Sequence, residues 1–239
     1  MSHPISAPNA LRPSRFRPSR RAFLGAAAAA GLLALPGCAT MGGRYSIEDA
    51  IRRMMELSAD RAFANLLRPG GFWDNQLVRL DLPAQFGRRG GVAQAILGSP
   101  AMRARLQRSF NDMAHDAARN AAPAVADAVR HIGIRNAVAL VHGDPTGATA
   151  YLRQDMGGHL IEVMVPAFGQ ALRIADDPLI GEALALLTGV DIGGVADSLA
   201  READDAIWGE IGRQEAAIRA DPRSSNNSLI ERVFGGGGR

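Results

Sequence analysis

The stretch PAMRARLQRSFNDMAHDA, residues 100–117, decides the fold. Met102, Leu106, Phe110, Met113 and Ala117 recur at spacings of 4, 4, 3 and 4, the period of one helical face. Ser99-Pro100 precedes them. The serine oxygen can cap the first turn, and the proline lacks an N–H that this turn would leave unpaired anyway. The same device at Asp144-Pro145 and Asp177-Pro178 predicts two further helix starts.

Upstream, Ser46 with Asp49 three residues on reads as a capping box. Ile47, Ile51, Met54, Leu57/Ser58, Phe63 and Leu66 then follow helical spacing until Pro69-Gly70-Gly71 ends the run. Phe72 to Pro83 lacks that period. Val78, Leu80 and Leu82 alternate with Arg79 and Asp81, the pattern of a short extended piece. Downstream, helix is expected from about Ala122 through Val125, Val129 and Ile132. Gly133 interrupts it, and a short helix follows to Val141. Pro145 to Ala175 reads as helix broken near Gly157-Gly158 and bent at Pro166. The last long helix is expected from Gly194 to Ala220, with Val195, Leu199, Ala203, Ile207, Ile211 and Ile218 on one face. Asp221-Pro222 ends it, and Leu229, Ile230, Val233 and Phe234 form an apolar clasp. No stretch sustains strand chemistry and no internal repeat is visible. The fold class is all-α: a single-domain, multi-helix bundle with one short extended segment.

The first 37 residues read differently. Arg12, Arg15, Arg17, Arg20 and Arg21 occur with no acidic residue, and an apolar run from Phe23 to Leu35 ends at Leu35-Pro36-Gly37-Cys38. A basic start, a short apolar core and a small residue before the cut define a secretory signal. The run is short of the ~20 residues a spanning helix needs. Ser19-Arg20-Arg21-Ala22-Phe23-Leu24 resembles the twin-arginine export signal. Leu35-Pro36-Gly37-Cys38 resembles the bacterial lipoprotein processing site, at which Cys38 receives a diacylglyceryl group and becomes the new N-terminus. Residue 39 is alanine rather than aspartate, which resembles the pattern for sorting to the outer membrane. The expected organisation is a signal peptide at 1–37, a lipidated tether at 38–45, a helical domain at 46–234 and a flexible tail at 235–239. The expected location is the cell envelope, lipid-anchored and facing the periplasm.

Processing changes the charge. The whole chain has 27 basic and 24 acidic residues, and loss of the five leader arginines leaves 22 against 24. The mature chain is therefore slightly acidic, and basicity offers no argument for nucleic acid. All the bases are arginine. That excludes a lysine Schiff base and a lysine-assisted phosphate loop. With Cys38 acylated there is no cysteine nucleophile, disulfide or cysteine metal site. His115, His131, His142 and His159 have no zinc-pair spacing, and neither a metal nor a cofactor is expected.

Val141 to Met156 carries a family resemblance. Gly143-Asp144-x-x-Gly147-Ala148-Thr149-x-Tyr151-Leu152-Arg153 is similar to the signature of the domain-of-unknown-function family 4197, a family of helical, envelope-directed bacterial proteins. Ala117 to Val141, Glu215-Ala216-Ala217-Ile218-Arg219-x-Asp221-Pro222 and Leu229-Ile230-x-x-Val233-Phe234-Gly235 extend the resemblance to about Ile47–Gly235. It implies fold and location and carries no mechanism.

The candidate binding residues are Asp144, Thr149, Tyr151 and Arg153, with His142 beside them. A carboxylate, a phenol and a guanidinium around a helix N-terminus could hold a polar or anionic group. The alternative is structural: Asp144 as an N-cap, Tyr151 packed and Arg153 paired with a neighbouring helix. Glu215 and Arg219, four apart, read as an exposed ion pair of a few tenths of a kcal/mol. Asp204 and Asp205 are adjacent and diverge on a helix, so they make no catalytic pair, and Trp208 reads as packing. No catalytic residue is assigned. The leading expectation is a non-catalytic lipoprotein binding a partner protein or an apolar ligand near the membrane. The second is a hydrolase using Asp144, Tyr151 and a histidine, and the third is an architectural role in the outer membrane.

Overall fold

A computed structural model describes residues 46–83, 99–174, 180–181 and 192–237. The signal, Arg20, Arg21, Cys38, the tether and the Asp177-Pro178 start lie outside these residues.

Among the described residues there are seven α-helices and no strand: α1 (Ile47–Leu66), α2 (Pro100–His131), α3 (Ala137–His142), α4 (Gly147–Met156), α5 (His159–Ile174), α6 (Ile192–Ala220) and α7 (Ser228–Phe234). The fold is an all-α bundle. α1, α2, α5 and α6 form its square: α6 packs on α5 and α1, and α2 packs on the same two from the other side. α4 lies on α6, and α3 and α7 lie against α1 and its neighbours.

α1 starts as its sequence predicts. The Ser46 hydroxyl accepts from the Asp49 N–H at 3.1 Å, and the Asp49 carboxylate accepts from the Ser46 N–H at 3.1 Å. It stops where Gly71 lets the chain turn back. A Cβ there would stand 2.2 Å from the Leu66 carbonyl oxygen, so no other residue fits. α2 starts at Pro100 as expected, although Ser99 makes no side-chain capping bond. It then runs unbroken through Pro123 to His131. Its buried stripe follows the expected spacing at Leu106, Phe110 and Ala117, which face the core, and departs from it at one place: Ala114 is fully buried and Met113 only partly. The small Ala114, Ala117, Ala118 and Ala121 let neighbouring helices approach closely.

Of the segment expected to be extended, residues 72–78 run mostly through turns and 79–83 carry no regular element, with Val78 and Leu80 buried. It joins no sheet. Buried Asn111 of α2 takes the place of a neighbouring strand: its Oδ1 accepts from the Leu80 N–H at 2.8 Å and its Nδ2 donates to the Leu80 carbonyl at 3.0 Å. The amide thereby satisfies a backbone that would otherwise be buried and unpaired.

α5 remains helical through Pro166, and Gly157 separates it from α4 with φ at 55°. α6 buries Val195, Leu199, Ala203, Ile207, Ile211 and Ile218, the face its spacing predicts. The clasp forms α7, capped by the Asn227 side chain and fixed by fully buried Ile230. The expected loose tail is partly ordered, since Gly235–Gly237 continues as a 3-10 turn. No described helix is long and apolar enough to cross a membrane.

Candidate functional site

α4 begins at Gly147, and the N–H groups of a first turn have no partner within their own helix. Thr146, at the cap position, makes no side-chain bond into it. The acceptor comes from α6. One carboxylate oxygen of Glu215 accepts from the Ala148 N–H at 3.0 Å. The other accepts from the Thr149 N–H at 2.7 Å and the Thr149 hydroxyl at 2.6 Å. Glu215 is 0% exposed.

Arg219 lies one turn further along α6. Its Nε donates to Glu215 at 2.9 Å, and its two terminal nitrogens donate to the carbonyls of Val141 at 3.0 Å and Leu140 at 2.8 Å. Those carbonyls close α3. The pair thus places a carboxylate at the N-terminus of α4 and a guanidinium at the C-terminus of α3, each the sign that the helix dipole favours. It is no exposed ion pair, as its spacing suggested. It is a buried clamp across two helix ends.

The predicted site residues fall around this clamp, each engaged with the chain itself. Asp144 is exposed and does not cap α4, which starts three residues later. Its Oδ1 accepts from the Thr146 N–H at 2.7 Å and the Thr146 hydroxyl at 2.6 Å, closing the preceding turn. These two bonds, the hydroxyl first, hold its pKa below the usual carboxylate range. The capping role that Asp144-Pro145 suggested has passed to Glu215, because the α4 N–H groups point into the bundle.

Thr149 is buried with its hydroxyl on Glu215. The Tyr151 hydroxyl donates to the Gly133 carbonyl at 2.6 Å and accepts from the Arg135 N–H at 3.4 Å, pinning the loop that enters α3. Arg153 bridges the adjacent carboxylates of α6, bonding Asp204 at 2.7 Å and also Asp205. Asp204 is buried and takes a second bond from the Trp208 indole N–H at 2.9 Å. Burial raises the Asp204 pKa against the attraction of Arg153 and the Trp208 bond. Trp208 is packed as its position predicts, and Asp204 and Asp205 diverge in burial while sharing one guanidinium. His142 is exposed at the end of α3.

Asp144, Thr149, Tyr151 and Arg153 therefore do not all converge on one cavity: Thr149 and Arg153 share the lining of the opening between α4 and α6, which Asp144 and Tyr151 do not reach. They reach from α4 and its approach to the preceding turn, α6 and the loop before α3. Three openings surround them. One of about 550 Å³ lies between α3 and α7, where the Arg219 guanidinium stands 4.9 Å over the Phe234 ring. A second, about 530 Å³, runs between α4 and α6, with Ala150, Gly209, Gly212 and Ala216 as small lining residues and Trp208, Arg153 and Arg213 around them. The third, about 590 Å³, lies on the other side of α3 against Ile47. Among the described residues no three His, Cys, Asp or Glu side chains gather as a metal site.

Sequence reasoning missed the roles of Glu215 and Glu210. The signal was present for Glu215, since it is four residues after Ile211 and three before Ile218, inside the apolar stripe. Buried Glu210 accepts from Asn65 at 2.8 Å, Gln214 at 2.9 Å and Arg213 at 2.9 Å. Burial opposes its ionisation, but these bonds outweigh it and the pKa falls.

Fold and site together define a helical bundle whose last long helix clamps the two short helices of the signature segment. Residues 43–235 match the family described as "Protein of unknown function (DUF4197)", and the chain belongs to that family. No curated protein and no solved structure matches it.

Proposed function

We propose that this protein is a lipid-anchored lipoprotein of the bacterial envelope, held through Cys38, whose helical domain binds a partner protein or an apolar ligand without turning it over. The observation that carries the reading is the fate of the signature polar groups. Asp144, Thr149, Tyr151 and Arg153 each bond to the chain itself, while the groove beside them stays open. That groove is lined by Ala150, Gly209, Gly212 and Ala216, with the Trp208 ring at its side. Small residues let an apolar body approach the helix backbones, and Arg153 and Arg213 give the groove polar edges. A hydrolase built on Asp144, Tyr151 and a histidine finds no support in this geometry, because the Tyr151 hydroxyl is held at Gly133 and the Asp144 carboxylate at Thr146.

The test is native mass spectrometry on the Cys38→Ala chain recovered from a bacterial periplasm, with crosslinking of the wild-type chain in intact envelopes. A mass excess or a discrete crosslinked partner is expected. Either should disappear in Ala150→Arg, which places a long charged side chain in the groove from an exposed position. A bare mass with no crosslinked partner overturns the binding reading and favours the architectural role.

A further inference from the structure

α3 is an apolar helix that the fold buries on one side only. In its sequence AVALVH, Ala137 is buried and Leu140 and Val141 pack half-buried against the core, while Val138, 60% exposed, and Ala139 face outward. The chain nevertheless holds it firmly. Tyr151 pins the loop at its start through Gly133 and Arg135, and Arg219 bonds the Leu140 and Val141 carbonyls at its end. Asn136 enters it in the left-handed region, at φ 55°, a conformation that asparagine tolerates better than most residues. Beside it Ile47 is 38% exposed, and both side chains line the same opening with Ala137, Ala139 and His142.

We infer that α3 and Ile47 form the face this domain lays against the lipid bilayer. The inference rests on the lipid-anchor reading above and adds an orientation to it. Ile47 follows Ser46, the first described residue, and the tether Ala39–Tyr45 reaches at most about 25 Å from the lipidated cysteine. Whatever else binds the domain, this end stays within that distance of the bilayer. Side chains such as valine and isoleucine stabilise contact with the headgroup–acyl boundary when a surface helix lies in its plane.

The charged groups around the face include both signs. Glu48 lines the opening, Asp49 pairs with Arg52 at 3.5 Å, and Arg135 and His142 are exposed. The contact is therefore apolar rather than electrostatic and should withstand added salt. The far end of the domain serves as an internal comparison. α1 is 20 residues long, about 30 Å at 1.5 Å per residue. Leu77 is 70% exposed in the turns beyond the far end of α1. α1 and α2 run antiparallel, with Arg52 bonding Ile132 at one end and His115 bonding Leu67 at the other.

With Cys38 acylated, a single introduced cysteine is the only reactive thiol. Full-length protein carrying Val138→Cys or Leu77→Cys is labelled with a nitrobenzoxadiazole fluorophore and reconstituted in phosphatidylethanolamine/phosphatidylglycerol vesicles, with and without acyl-chain-brominated lipid. The Val138→Cys probe should be quenched at least about threefold more than the Leu77→Cys probe, unchanged at high salt. Equal quenching in a protein that floats with the vesicles overturns the inference and leaves the anchor reading intact. An intact mass lacking the acyl group, with no flotation, overturns the anchor reading and this face with it. A Val138→Cys probe that shifts without lipid, in proportion to protein concentration, means a second copy covers the face and also overturns it.

Discussion

Glu215 shows how much one buried side chain can organise. It accepts three bonds from Ala148 and Thr149 and a charged pair of contacts from Arg219, whose own side chain is only 10% exposed. Removing the carboxylate leaves a buried guanidinium without its counter-charge and a helix terminus unsatisfied. Glu215→Ala should therefore lower the unfolding free energy by about 3–5 kcal/mol, the range for breaking one side of a buried ion pair, as read by urea denaturation. Glu202 is the opposite case. It is half-buried on α6 and accepts from the Asp81 N–H at 3.1 Å. Its pKa is raised, first by burial and then by the charges of Asp81 and Asp205 against that one bond. A carboxyl whose folded pKa exceeds its unfolded value binds more protons when folded, so stability falls as pH rises from the unfolded pKa through the folded one. Glu202→Gln should raise the melting temperature at neutral pH and lose that advantage below about pH 4.5, near the unfolded glutamate pKa. A variant no more stable than the parent at pH 7 would contradict this account.

Helix against helix, α4 and its cap residue come close to α6 at Gly212. A Cβ there would lie 3.3 Å from the Thr146 γ-methyl and 3.9 Å from that of Thr149. Two opposing effects set the outcome of substitution. Alanine gains about 1 kcal/mol of helix propensity over glycine and meets one tight contact, so Gly212→Ala should be close to neutral. Gly212→Val adds branching against the same methyl groups and should lose about 1–3 kcal/mol, the usual penalty for overpacking. Because the wedge sits beside the clamp, hydrogen exchange at the Ala148 and Thr149 amides should accelerate in Gly212→Val while the exchange of α1 amides does not. The same antiparallel contact explains why α4 is fixed at both ends: Glu215 holds its first turn, and Asp204 with Asp205 holds Arg153 in its last.

At the scale of the whole molecule, address and architecture are separable. Replacing Arg20 and Arg21 by lysine should leave unprocessed precursor in the cytoplasm, seen as a larger band in fractionation blots; normal processing would assign export to the general secretory route. Cys38→Ala should move the protein from the membrane fraction to the soluble one, because acyl chains contribute about 0.8 kcal/mol per buried CH2 and no described helix can span a bilayer in their place. Persistent attachment of Cys38→Ala would overturn the lipid-anchor reading.

Helix positions were legible in the sequence because they follow local rules. The capping box at Ser46, the apolar stripe of α6 and the breaks at Gly133 and Gly157 are each decided by a few adjacent residues. The family was legible too, in the segment 143–153. What each signature residue does was decided by tertiary structure. Asp144 looked like a helix cap, yet the cap of α4 comes from Glu215, 67 residues from Ala148. Glu215 and Arg219 looked like an exposed pair because four-residue spacing is the same on the wet and dry sides of a helix. Only the arrival of α3 and α4 on that face removed water from it. Local spacing determines which side chains share a face; which face is buried, and which helix ends need a charge, depends on partners that the chain brings from far away.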